Sequence, residues 1–184
     1  MEPHQAAARA LELGADDAVI FRIEQIVFDP RTLLKCMFGC ADWGKGHTCP
    51  SSPGSLKPAE YRQIFEHYRW GCIIHSTNKK VSQDVSFALE REAFLAGHYF
   101  AFSLSDCAIC GECAGFKGRP CVDPRRARPA FHSVGIDVFA TVRQFDLPLY
   151  PLVSEEEEQN WYSAVFIAER IRCTAGTLSG DTYA

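Results

Sequence analysis

No apolar run in the 184-residue sequence is long enough to span a bilayer, so no membrane-crossing helix is expected. The first residues, MEPHQAAARALELGADD, lack the apolar stretch of a secretory signal and carry acids early; a cytoplasmic protein is expected. Positive charge is not in excess, because 19 Lys and Arg against 23 Asp and Glu leave a formal net charge of −4. Nucleic-acid binding usually leaves a basic footprint, so no nucleic-acid partner is expected. There is no internal repeat, no low-complexity segment and no Ser–His–Asp or Cys–His catalytic signature in a recognisable context. "GCADWGKG" nearly spells a phosphate-binding loop, but Gly46 stands where the Mg²⁺-ligating Ser or Thr is required.

Cysteine, by contrast, is abundant: the chain has nine. In a reducing compartment clustered thiols bind metal or do redox chemistry more often than they form disulfides, and an odd count cannot be fully paired. Seven of the nine fall into two groups. In the second, Cys107, Cys110 and Cys113 are spaced by two residues each, and Cys121 follows after AGFKGRP. A [4Fe–4S] cube takes four thiolates, and two-residue spacing lets consecutive thiolates curl around one cube. Gly115 and Gly118 would let the segment fold back so that Cys121 closes it. Zinc, the alternative metal, usually takes paired cysteine knuckles set well apart, and here Cys110 would belong to both pairs.

The first group is Cys36, Cys40 and Cys49, the last followed by Pro50 as in ferredoxin runs. The two groups supply seven thiolates, whereas two complete cubes need eight donors. Cys72, Cys173 and His47 are the candidates for the eighth. Cys72 lies in the apolar strand "WGCIIHS", where a cysteine behaves as a small hydrophobe. Cys173 lies in a Gly/Thr/Ser tail, and His47 in a polar loop where a histidine is commonly just solvated. With no eighth donor, one iron would keep an open position able to bind substrate, as an open zinc position does. The glycines at 39, 44 and 46 suggest a tight loop whose backbone N–H groups approach cluster sulfurs, with Lys45 tuning potential. The arginines of "DPRRARP" would either stabilise an anionic cluster, receive an acidic redox partner, or simply be solvated.

Around these groups, periodicity predicts a helix over 3–13, strand structure in "DDAVIFRIEQIVFDP", and a helix in "PAEYRQIFEHYR" opened by Pro58. It predicts a strand in "WGCIIHS", a long helix in "KKVSQDVSFALEREAFLAGHY" stopped near Gly97, and a strand in "YFAFSLS". A helix from about Gly135, an acidic loop at "SEEEEQ" and a last strand in "NWYSAVFIAER" complete the order. Glu90 and Glu92 should point to different helix faces. Largely alternating helices and strands predict an α/β or α+β sandwich, one domain over 1–184, with a ferredoxin-like cysteine loop at about 105–124 inserted in it.

Four stretches carry a resemblance: "LLKCMFGCADWGKGHTCP", "LEREAFLAGHYFAF", "CAICGECAGFKGRPCVDPRRARPAFHSVGIDVFATVRQFDLP" and "NWYSAVFIAER". Together they resemble a family of predicted metal-binding proteins with two cysteine clusters, over about Ile26 to Arg170. The resemblance implies that Cys36, Cys40, Cys49, Cys107, Cys110, Cys113 and Cys121 are the metal ligands. It implies no particular reaction. The sequence departs from that family at Ser51, where a second proline is usual, and at Cys72. The leading expectation is an iron–sulfur protein carrying one or two [4Fe–4S] clusters and exchanging electrons with a partner enzyme. A redox enzyme with an open iron at the Cys36, Cys40 and Cys49 group and a zinc-stabilised binding module are the alternatives. Oligomeric state is not encoded in any feature of the sequence.

Overall fold

The computed structural model describes residues 1–154 and 156–168. Its centre is a four-stranded sheet of β1 (Asp17–Arg22), β2 (Trp70–Ser76), β3 (Phe102–Ser105) and β4 (Trp161–Ile167), in the order β1-β2-β4-β3. Every neighbouring pair is antiparallel. The architecture is therefore α+β, since parallel strands with crossover helices would be needed for α/β.

Strand alternation sends side chains to two different cores. On one face Cys72, Ile74, Val165 and Ile167 meet Ala6 and Ala10 of α1 (Pro3–Glu12) and Val85, Leu89 and Ala93 of α4 (Lys79–Leu95). On the other face Phe21, Ile73, Leu104 and Phe166 pack with Phe65 of α3 (Pro58–Phe65), Phe131, Val134, Ile136 and Val142 of α5 (Val138–Arg143). Burying one such side chain contributes roughly 1.5–3 kcal/mol, so each layer is held mainly by its apolar stripe. Gly97 adopts φ +94° just past α4, as the helix-stop reading requires.

One expectation is corrected. Residues 36–49 are not all loop, because α2 runs Arg31–Gly39 and carries Cys36 within it. Leu33, Leu34, Lys35 and Met37 are good helix formers, and the glycines that suggested a loop act only from the helix's last residue onward. Immediately before α2 the Asp29 carboxylate accepts the Arg31 N–H at 2.9 Å. The Arg31 guanidinium holds that carboxyl down at about 2, well below the ordinary range.

Candidate metal centre

Two sets of contacts bring the cysteine groups together. Segment 27–29 pairs with 135–137 through Asp29 N–H to the Gly135 carbonyl at 2.9 Å and Asp137 N–H to the Val27 carbonyl at 2.8 Å. That pairing lays α2, with Cys36, against the 3-10 turn Phe131–Val134. The second group follows directly from β3. Buried Gln83 on α4 steadies it, accepting the Ala108 N–H at 2.6 Å and donating to the Arg126 carbonyl at 3.4 Å.

The loops then touch each other. The His47 Nε2–H donates to the Arg119 carbonyl at 2.7 Å. A Cβ on Gly115 would lie 2.4 Å from the Lys45 carbonyl oxygen and 3.2 Å from the His47 ring. Glycine is thus required at 115 by the close approach of the first loop, in addition to any role in folding the second loop back.

An open cavity of about 880 Å³ lies between the loops, and Cys36, Cys40, Cys49, Cys107, Cys110 and Cys113 all line it. Behind it a cavity of about 20 Å³ is lined by Cys107, Cys110, Cys113 and Cys121, together with His47. The structure therefore places the two sequence groups around adjoining spaces, with three thiols facing both. Among the described residues no three His, Cys, Asp or Glu side chains are gathered as a ready site for a single ion. Seven thiols line the two spaces, and so many sulfur donors suit iron–sulfur clusters or zinc. The smaller space has room for little more than one water. A cluster bound by the Cys107 group must therefore sit toward the large cavity or open the loop around itself.

Local electrostatics are uneven. The Cys36 thiol is pushed up, first by burial and then by neighbouring Cys40, Cys49 and Asp106. Asp106, at the entry to the second group, is thus close enough to act on a thiol of the first. Cys40 is exposed. Ser51 Oγ lies 2.8 Å from the Cys49 sulfur and accepts the Gly44 N–H at 2.9 Å, leaving its hydroxyl proton free to donate to a thiolate. The N-terminus of α4 also borders the large cavity at Asn78, Lys79 and Lys80. Its partial positive charge favours an anionic occupant, although Lys80 itself pairs with Asp84 and Lys79 lies over the Trp161 ring.

Several sequence candidates lie elsewhere. Cys72 is 1% exposed on the sheet face covered by α1 and α4, and burial pushes its thiol up to about 12. Cys173 lies outside the described residues. Lys45 donates to the Ala41 carbonyl of its own loop at 2.7 Å, so its ammonium closes the turn. Of the three arginines, Arg126 pairs with Asp84 and Arg128 with Glu90, so two of them clamp the loop base. Trp43 borders the large cavity.

Sequence reasoning missed His132, which lines the large cavity in the turn facing α2. It also missed a second, mainly apolar cavity of about 940 Å³, lined by Leu34, Ile136, Val138 and Phe139 and reaching Cys36, Cys40 and His132. No local signal marks either one, since both arise where distant segments pack.

Fold and site together define an α+β protein whose two cysteine loops meet at one thiol-lined opening. The chain belongs to the family described as predicted metal-binding protein (DUF2284), whose model matches residues 19–167. No curated protein and no solved structure matches the chain. Among the described residues, no helix is long and apolar enough to cross a membrane.

Proposed function

We propose that this chain is an iron–sulfur protein whose two cysteine groups hold adjacent [4Fe–4S] clusters and pass electrons to or from a partner enzyme. The observation that carries this reading is the sharing of one large cavity by six thiols of both groups. A bare zinc ion draws four ligands in to about 2.0–2.3 Å, whereas these thiols stand around a space with the volume of a larger body. The two-residue spacing of Cys107, Cys110 and Cys113 supports a cube over a zinc knuckle. Reduced clusters are net negative, and the N-terminus of α4 is a suitable neighbour for that charge. The whole chain is read as one domain with the Cys107 loop inserted between β3 and the 3-10 turn.

The test is purification without oxygen, followed by iron, sulfide and zinc analysis and a redox titration. About eight irons and eight sulfides per chain, with reversible one-electron reduction, is the expected result. Zinc without iron, or an iron-loaded chain with no redox response, would overturn the proposal.

Ser51 offers a finer prediction. A hydrogen bond to a ligand sulfur stabilises the extra negative charge of the reduced cluster and so raises its potential. Ser51→Ala should therefore shift one of the two potentials to more negative values and leave the other in place. Equal potentials in the variant and the parent would show that the hydroxyl does not reach the ligand sulfur.

A second reading draws on the apolar cavity beside Cys36 and Cys40. An iron left open there would face a space able to take a small, mainly apolar substrate, and the protein would be a redox enzyme. Perturbation of the visible spectrum by a small anion would favour that reading.

A further inference from the structure

Under the iron–sulfur reading, the Cys36, Cys40 and Cys49 group is one donor short of a cube. The Cys107 group already has four thiols around the small cavity, and His47 faces that complete set with its Nε2–H engaged by Arg119. Cys72 is buried between the sheet and helices α1 and α4 and lines neither space. The large cavity is also lined by the carboxylates of Asp42, Asp106 and Glu112 and by the imidazole of His132. Asp42 lies 4.0 Å from the Lys45 ammonium, and Glu112 is paired with Lys117. Among the described residues Asp106 and His132 remain.

Donor chemistry separates these two. Carboxylates suit hard cations, whereas imidazole is a good ligand for iron and replaces thiolate in some two-iron centres. Position agrees with chemistry. His132 borders both large cavities in company with Cys36 and Cys40, because α2 packs on its turn. Among the described residues its ring has no hydrogen-bond or ion-pair partner.

We infer that His132 is the fourth ligand of the Cys36, Cys40 and Cys49 group, an inference that rests on the iron–sulfur reading above. Ligation is donation of a nitrogen lone pair to iron: no electron is transferred, and the neutral ring keeps its one N–H. Three thiolates and one neutral imidazole make this centre less negative than the four-thiolate centre at Cys107. It should therefore be the more easily reduced of the two, and the natural end point for an electron entering at the Cys107 group.

The test uses the full chain, purified without oxygen, reduced, and studied by hyperfine spectroscopy with and without ¹⁵N-histidine. The expected result is a histidine nitrogen coupling that changes on labelling and is absent in His132→Ala. In His132→Cys the iron content should be kept, the coupling lost and the higher potential lowered. An iron-loaded parent protein with no histidine coupling, or a coupling that survives in His132→Ala, overturns the assignment. Loss of iron in Asp106→Asn but not in His132→Ala would pass the role to the carboxylate and also overturns it. A parent protein with no iron or sulfide refutes the iron–sulfur reading itself, which separates the two failures. The labelling experiment on the parent chain needs no variant to fold.

Discussion

Cys110→Ala is expected to remove about four irons and four sulfides per chain, the content of one cube. Cys110 is the middle thiol of its run and faces both the large and the small cavity. Among the described residues no spare thiol reaches these spaces, because Cys72 is buried beneath α1 and α4 and lines neither. Cys72→Ala is the matched control: it truncates a buried side chain but should leave iron unchanged. Far-UV circular dichroism of both variants checks that the sandwich persists. Unchanged iron in Cys110→Ala, or equal losses in both variants, would refute the assignment of that group.

The largest expected effect on stability is at Glu90. Its carboxylate accepts the Ser103 N–H at 2.7 Å, the Ser103 hydroxyl at 2.6 Å and the Arg128 Nε–H at 2.9 Å, and its other oxygen meets Arg128 Nη2. The two charged side chains are only 13% and 12% exposed. Removing one partner of such a pair leaves the other charged and poorly solvated, which typically costs about 3–5 kcal/mol. Glu90→Ala should show a loss of that order in urea unfolding of the full chain. A loss below about 1 kcal/mol would mean the pair is solvent-screened like an ordinary surface ion pair.

The same network ties stability to the site. Ser103 lies on the strand that enters the Cys107 loop, and Arg128 lies where the chain leaves it. The Ser105 N–H to Pro129 carbonyl bond, 2.9 Å, closes the loop base just beyond them. Glu90→Ala should thus release cluster iron faster on exposure to a chelator, as well as lower the unfolding midpoint. Glu92, two residues away on another face of α4, instead binds Arg9 of α1 at 3.1 Å and should affect stability alone.

Much of this was legible in the sequence. Helical spacing marked α1 and α4, Pro58 opened α3, and short apolar or alternating runs marked the four strands, of which β2 and β4 are buried on both faces. Spacing alone separated the seven grouped cysteines from Cys72, whose apolar neighbours already placed it in a core strand. The tertiary structure decided the rest. Antiparallel pairing is a matter of which strands become neighbours, and element order does not settle that. Cys36 moved from loop to helix because the helix formers before it outweighed the glycines after it. The meeting of the two cysteine loops, the contact that demands Gly115, and the presence of His132 beside Cys36 all depend on segments about seventy to a hundred residues apart packing together. Local sequence sets which side chains can bind a metal. Only packing across the sheet decides which of them share a space.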